Sequence, residues 1–168
     1  AVGADRINVS EQSYSIQGKT DVPVLDDKKY IMNEDEWKRL AEGLDHLGKI
    51  AADRGFKLCF HHHMGTVVQT AAETDKLMQM TDPSYVFLCY DTGHFTFAGE
   101  DPLLMLEKYA DRVGHVHLKD MRLSVVDQVR KDHMSFLDAV RNGSFTVPGD
   151  GNVEFAPIFS LLSKAGYK

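Results

Sequence analysis

Histidine is concentrated at a few places in this chain of 168 residues. Of the eight histidines, three are consecutive at positions 61–63, His115 and His117 form a second group, and His94 follows Asp91 in the segment Asp-Thr-Gly-His. Imidazole and carboxylate are common protein ligands of divalent transition metals, and imidazole also exchanges protons near neutral pH. These residue types predict metal binding, acid–base catalysis, or both.

Alternation along extended strands indicates which of these side chains share a face. Residues two apart point the same way, so His61 and His63 share one face, and so do His115 and His117. On strands that lie side by side, Asp91, His61 and His117 would converge. Two imidazoles and a carboxylate form a divalent-metal site with positions left for further ligands.

Each of these features also has an ordinary structural explanation. A single histidine in a strand is usually a core residue, and Asp91 could instead cap a turn by accepting backbone N–H groups. Asp120 alone is interpreted as a solvated strand end, and the segment 148–151 as a turn that closes the site rather than a phosphate loop. Five histidines and one aspartate at predicted strand ends together favour the metal site.

The hydrophobic pattern predicts the elements that hold these residues. Short apolar runs with flanking turn residues predict four strands, and Glu11 falls at the end of the first of them. The predicted strands are Arg6–Gln12, Lys57–His63, Tyr85–Asp91 and Val113–Lys119.

Helix-start signals lie between the strands. Capping boxes are predicted at Asn33 with Glu36 and at Thr70 with Glu73, and Pro102 after Asp101 begins a third helix. In the first helix, one buried stripe is predicted to contain Trp37, Leu40, Leu44, Leu47 and Ile50. Further helices are expected at about 133–142 and 156–165.

Strands that alternate with amphipathic helices predict an α/β fold with parallel strands and right-handed crossovers. In such folds, functional residues lie at the carboxyl ends of the strands, where the histidines and Asp91 are found.

Composition excludes several classes of protein. Apolar residues make up 43% and charged residues 26%, and 25 acidic against 19 basic side chains give a net charge of −6. This charge argues against nucleic acid as a partner, and no apolar run is long enough to predict a membrane span. Cys59 and Cys89 lie in apolar segments, which favours two free thiols and a reducing cytoplasm over a disulfide.

Several motifs resemble those of the inosose dehydratase family and, more widely, of the xylose-isomerase-like barrels. Asp-Thr-Gly-His and His-x-His-x-Lys-Asp are widespread in the barrels, whereas the triple histidine with Met-Gly-Thr is more specific to the dehydratases. The segments that carry the resemblance are 10–12, 14–17, 61–66, 91–99, 115–120 and 136–139.

The resemblance implies a (β/α)8 TIM barrel, present here as a single partial domain over 1–168 that lacks the N-terminal strands and the last strand. It also implies a divalent metal, Mn or Co before Zn, Fe or Mg, with ligands at His61, Asp91 and His117. In the wider barrels the first of these positions is typically Glu. A fourth ligand, a Glu on the last strand, is expected beyond Lys168.

The implied reaction is loss of water from 2-keto-myo-inositol, a small polyol ketone, to give a trihydroxycyclohexane-dione; the enzyme would be a hydro-lyase. A sugar isomerase or epimerase on the same scaffold is the alternative function, and a non-catalytic metal-binding fragment is a third possibility. The sequence leaves open whether the protein is a homo-oligomer.

The catalytic candidates are His63, His94 and Lys119. The substrate-binding candidates are Glu11, His115 and Arg122.

Overall fold

Four parallel strands in chain order form the main sheet. The computed structural model describes residues 3–167. Each strand pairs with the next in parallel, so every connection is a crossover through helical segments. This arrangement confirms the predicted α/β class and forms part of a barrel wall. The strands are β1 (Arg6–Val9), β2 (Lys57–His61), β3 (Val86–Asp91) and β4 (Val113–His117).

Seven α-helices and a short antiparallel pair, β5 (Asp120–Met121) with β6 (Phe145–Thr146), complete the described part of the chain. No helix in residues 3–167 is both long and apolar enough to cross a membrane. The helices are α1 (Glu34–Ala52), α2 (Ala71–Met80), α3 (Thr92–Phe97), α4 (Pro102–Tyr109), α5 (Leu123–Lys131), α6 (Phe136–Arg141) and α7 (Phe155–Lys164).

The predicted helix starts are confirmed. Asn33 and Glu36 form a reciprocal capping box at α1, and Thr70 and Glu73 form another at α2. Asp101 accepts the backbone N–H of the second residue of α4, with proline at the first position.

The predicted buried stripe of α1 is wrong at its carboxyl end. Leu47 and Ile50 are 51% and 38% exposed. The face that packs on the sheet is shifted, because Gly48 approaches the backbone of Tyr85 so closely that a Cβ atom would lie 2.5 Å from its carbonyl oxygen. The buried positions are therefore Trp37, Ala41, Leu44, Gly48 and Ala51.

Three of the four strands end earlier than predicted, at Val9, His61 and His117. Beyond each end the chain enters a loop stabilised by its own hydrogen bonds, such as His63 N to Val68 O at 3.0 Å. Helices α3 and α5 were not predicted. The helix expected at about 133–142 is α6, which begins three residues later, after a bend in which His133 has a φ of 51°.

The core lies between the main sheet and the helices α1, α2, α4 and α7, with a second apolar cluster around α5 and α6. An irregularity between Leu88 and Cys89 shifts the register of β3 against β4 and brings Gly114 over Cys59, where a Cβ atom would lie 2.6 Å from the sulfur. Cys59 and Cys89 are buried free thiols, as predicted.

Candidate functional site

Strand register places the chemistry-bearing side chains in two adjacent levels of the sheet. Cys89 pairs with His61 on β2 and with His115 on β4, and Asp91 pairs with His117. Because side chains two apart share a face, Cys89 lies on the same face as Asp91, one level deeper. The upper level is at the carboxyl ends of the strands, where functional residues of such folds are found.

Asp91 is the centre of the cluster and has no exposed surface. Its Oδ1 accepts the backbone N–H of His94 at 3.0 Å, which caps helix α3. Its Oδ2 lies 3.0 Å from His61 Nε2 and 3.4 Å from His117 Nδ1, and Lys119 Nζ also contacts it. The two interpretations of Asp91, helix cap and site carboxylate, are therefore compatible, because each uses a different oxygen.

The surroundings keep Asp91 ionised. Burial alone would raise the pKa of its carboxyl group, but hydrogen bonds from His117 and His61 outweigh burial, with the charges of His94 and Lys119 adding to them, and the pKa falls well below its usual range. A buried carboxylate with several donors at one oxygen has the charge that a cation site requires.

His63 and His94 form a second layer beside this cluster, with ring centroids 3.6 Å apart. Burial lowers the pKa of His63 to about 4 and that of His94 well below its ordinary value, so both imidazoles are neutral at pH 7. Gln17 Nε2 lies 2.6 Å from His63 Nδ1 and 3.0 Å from Met64 O. His63 Nδ1 also lies 3.0 Å from Met64 O, so a proton on Nδ1 can be donated there while Nε2 keeps a free lone pair.

His62 lies behind the cluster. It is fully buried, it stacks on Phe95 with ring centroids 3.6 Å apart, and neither ring nitrogen has a hydrogen-bond partner within residues 3–167. Burial lowers its pKa to about 3, so it is neutral. The structure thus separates His62 from the face that His61 and His63 share.

Two triads of donor atoms have the spacing of a metal site, with all three atoms within 4.8 Å of one another. One comprises His61, Asp91 and His94, and the other His61, Cys89 and His117. The donors are imidazole, carboxylate and thiol, which suit a divalent transition metal. The chain therefore has side chains that fit such an ion. Cys89 was missed at the sequence level, although its spacing of two from Asp91 was a signal of a shared face.

The substrate-binding candidates do not lie together in one place. His115 lies one level below His117, with ring centroids 5.0 Å apart, in a cavity of about 430 Å³ that Arg6 and Asn8 also line. Burial lowers the pKa of His115. Glu11 lies beyond the end of β1, where one carboxylate oxygen accepts Ser13 N at 3.0 Å.

Arg122 is not directed at the cluster by its hydrogen bonds. Its guanidinium donates to Gly143 O at 2.8 Å and Thr146 Oγ1 at 2.9 Å, and it pairs with Asp150. These contacts secure the turn after α6 and the strand β6, which is a structural role.

The interpretation of Asp120 as a solvated strand end is wrong. Asp120 is fully buried, and its carboxylate accepts the backbone N–H groups of Gly149, Gly151 and Val153 at 2.8 to 2.9 Å. Charge is tolerated there because several donors satisfy it. The turn at 148–151 is thereby fixed beside the strand that follows Lys119.

Thr92 is a further residue that sequence reasoning missed. Its hydroxyl donates a hydrogen bond to Lys119 O at 2.7 Å and accepts one from Lys119 N at 3.0 Å. Both backbone groups of Lys119 are therefore fixed against the start of α3. Lys119 thus reaches Asp91 from a secured backbone.

The family model described as "xylose isomerase-like TIM barrel" matches residues 1–168. Among curated proteins, inosose dehydratase of Clostridium beijerinckii is 56% identical over 167 residues, which are 99% of this chain and 56% of that protein. Inosose dehydratase 2 of Bacillus cereus is 54% identical over 167 residues, with the same two coverages. The chain spans about half the length of the curated relatives it matches.

Solved structures share the fold at low identity. The probable 3-DHS dehydratase AsbF of Bacillus anthracis has a TM-score of 0.67 at 15% identity and covers 95% of this chain and 54% of its own. The IOLI protein with a bound zinc atom has a TM-score of 0.61 at 19% identity, with coverages of 84% and 48%. From the matching family model and the parallel α/β arrangement, this chain belongs to the xylose isomerase-like TIM barrel family.

Proposed function

We propose that this chain carries the metal-dependent half of a site that eliminates water from an inosose, 2-keto-myo-inositol. The observation that carries the proposal is the convergence of His61, His117 and Lys119 on one oxygen of the buried Asp91. The identity of 56% to an inosose dehydratase supports the choice of substrate.

His61, Asp91 and His117 would hold a divalent ion, for which we propose Mn or Co. When bound, such an ion supplies Lewis acidity toward a ketone oxygen and a neighbouring hydroxyl. The donors fit this role because they combine two imidazoles with a carboxylate whose low pKa keeps it charged.

The overall reaction breaks one C–H bond and one C–O bond. The proton α to the ketone leaves to a base, the electron pair forms a C=C bond, and the β-hydroxyl departs as water after protonation. The resulting enol becomes the dione by moving its hydroxyl proton to carbon. A base and an acid of different strength are therefore required.

The chain offers both kinds of group beside Asp91. His63 is a neutral imidazole and is less buried than His94, so we assign its Nε2 the proton transfer at the α-carbon, with the ring proton on Nδ1 and with His94 packed against it as its support. Lys119 has an ammonium group at the cluster, and we assign it protonation of the departing hydroxyl.

We further propose that the substrate is a small polyol ketone held in part by Glu11 and His115, and that the protein acts in the cytoplasm without nucleic acid or membrane. Two buried free thiols and the net charge of −6 support this setting.

Product analysis tests the reaction. The longer protein that contains this chain and the further barrel strands predicted outside 1–168, loaded with Mn²⁺ or Co²⁺ and given 2-keto-myo-inositol in D₂O, is expected to form the dione, and Asp91→Asn is expected to abolish this activity. Residues 1–168 alone are expected to be inactive, because the fourth ligand is predicted beyond Lys168. The exposed Asp127→Asn serves as the matched control.

Deuterium exchange distinguishes dehydration from the alternative reaction, isomerisation or epimerisation of a ketose. Deuterium exchange or inversion at carbon without loss of water, on this ketone or on ketoses, would instead indicate an isomerase or epimerase. Binding of metal with neither reaction would overturn both assignments.

A further inference from the structure

The thiol of Cys89 lies at the floor of the metal-binding cluster, and no step of the proposed reaction uses it. Cys89 has no exposed surface and pairs in register with His61 on the neighbouring strand. Its sulfur and one nitrogen each of His61 and His117 all lie within 4.8 Å of one another.

This triad shares two residues with the proposed metal ligands. His61 and His117 both contact Asp91 at the upper level and both reach Cys89 at the lower level. An ion held between the two imidazoles would therefore have the Cys89 sulfur as a third donor, with the Asp91 carboxylate next to both imidazoles.

We propose that Cys89 is a metal ligand of this site, and that His61, His117 and the Cys89 thiolate form an inner coordination position selective for thiophilic divalent ions such as Co²⁺ and Zn²⁺ over Mn²⁺. The inference rests on the proposed metal site and deepens it. Thiolate ligands favour softer ions, whereas carboxylate and water suit Mn²⁺.

The binding step is balanced by loss of a proton. The S–H bond of Cys89 breaks, a metal–sulfur bond forms, and the proton passes to the buffer, while each imidazole binds through a nitrogen that carries no proton. No electron is transferred and no further reactant is required.

Cys59 provides a matched control. It is also fully buried, it lies on the neighbouring strand two residues before His61, and it is on the same face of the sheet. It belongs to neither donor triad. Cys59→Ser and Cys89→Ser thus make the same chemical change in equivalent surroundings.

Co²⁺ absorption tests the proposal with a readout independent of activity. Wild type and Cys59→Ser, loaded with Co²⁺, are expected to show a sulfur-to-cobalt charge-transfer band in the near ultraviolet, and Cys89→Ser is expected to lose it while retaining the visible bands of bound cobalt. The preference for Zn²⁺ over Mn²⁺, taken as the ratio of their dissociation constants, is expected to fall by about tenfold in Cys89→Ser, or about 1.4 kcal/mol.

The outcomes separate the two proposals. Bound cobalt without a charge-transfer band in wild type overturns the role of Cys89 and leaves the metal site intact, and a band that persists in Cys89→Ser does the same. Failure of wild type to bind Co²⁺ at all overturns the metal site itself. If Cys89→Ser does not fold, the wild-type spectrum and Cys89→Ala decide the question.

Discussion

Asp91 shows how one buried carboxylate serves structure and chemistry at once. Its Oδ1 fixes the start of helix α3 and thereby the position of His94, while its Oδ2 faces the two imidazoles and Lys119. The helix cap restricts rotation of the carboxylate, so the second oxygen is held in place before any ligand arrives. Such preorganisation lowers the cost of forming a site.

Lys119→Met tests the assignment of Lys119 as the acid. We expect kcat to fall by about 10²–10⁴-fold, the usual contribution of a positioned acid. Metal affinity should stay equal or rise, because the ammonium group competes with a cation for Asp91 Oδ2. Turnover and metal titration are the measurements, with the exposed Lys131→Met as control; parallel loss of metal and activity would contradict the assignment.

Gln17→Leu tests a positioning role. The amide nitrogen of Gln17 lies 2.6 Å from His63 Nδ1 and 3.0 Å from Met64 O, so the amide holds the orientation of the imidazole. Without the amide, Met64 O, 3.0 Å from Nδ1, is left as the contact that holds this nitrogen. We expect the ¹⁵N chemical shifts of the His63 ring to change and kcat to fall by about 10–100-fold, as for other residues that orient a functional imidazole.

The exposed Gln128→Leu is the control for this substitution. Unchanged ¹⁵N chemical shifts of the His63 ring in Gln17→Leu would show that the amide does not orient His63, even if activity fell.

At the scale of elements, helix α1 depends on one close approach to the sheet. Gly48→Ala would place Cβ 2.5 Å from Tyr85 O, a backbone atom that cannot move alone, so we expect a loss of about 1–3 kcal/mol in unfolding free energy. Gly43, in the same helix, has open space around it, and Gly43→Ala should add about 0.5–1 kcal/mol. Urea unfolding measures both; equal effects would refute the close approach.

The start of helix α2 should be sensitive to acid. Burial would raise the pKa of Glu73, but hydrogen bonds from Lys29, Thr70 and Gln69 lower it overall. Because the folded pKa is depressed, this stabilisation is complete above the unfolded pKa of about 4.3 and is lost as the pH falls through the folded value.

Glu73→Gln should therefore destabilise the protein by about 1–3 kcal/mol at pH 7, and its difference from wild type should shrink below about pH 4. Urea unfolding at the two pH values is the measurement, with the exposed Glu107→Gln as control. A difference that is independent of pH would contradict the ionic contribution.

Local signals predicted the framework of the fold, and tertiary contacts account for what they missed. Asn33, Thr70 and Asp101 act through residues two or three positions away, so their caps could be predicted from the sequence. The exposure of Leu47 depends on a contact between Gly48 and Tyr85, which are distant in sequence.

The same distinction applies to the site. Strand parity predicted that His61 and His117 lie on the face of Asp91, since it needs only alternation and strand order. The burial of Asp120 depends on backbone N–H groups about thirty residues later, which no local pattern indicates. The cap of helix α3 is local, since Asp91 acts on His94 three residues later, but the sequence was interpreted there as a turn rather than a helix.

At the scale of the whole molecule, each of the two outer strands of the sheet pairs on one side alone within residues 3–167. Within residues 3–167, β1 pairs only with β2 and β4 only with β3. Beside β4, Val116, Leu118 and Phe159 line an open groove of about 580 Å³, and Phe159 is 49% exposed. Unpaired strand edges and exposed apolar grooves favour association. The prediction that further barrel strands lie outside 1–168 stays a prediction.

We expect residues 1–168 to self-associate through these edges. All four strands are parallel, so β1 of one copy can extend the sheet beyond β4 of another in the same direction. Phe159→Lys places a charge in the groove and should shift sedimentation toward the monomer, whereas Leu104→Lys, at a residue that is 62% exposed on α4, should not. A monomeric wild type at high concentration, or an equal response of the two variants, would show that the edge beside β4 is not the contact.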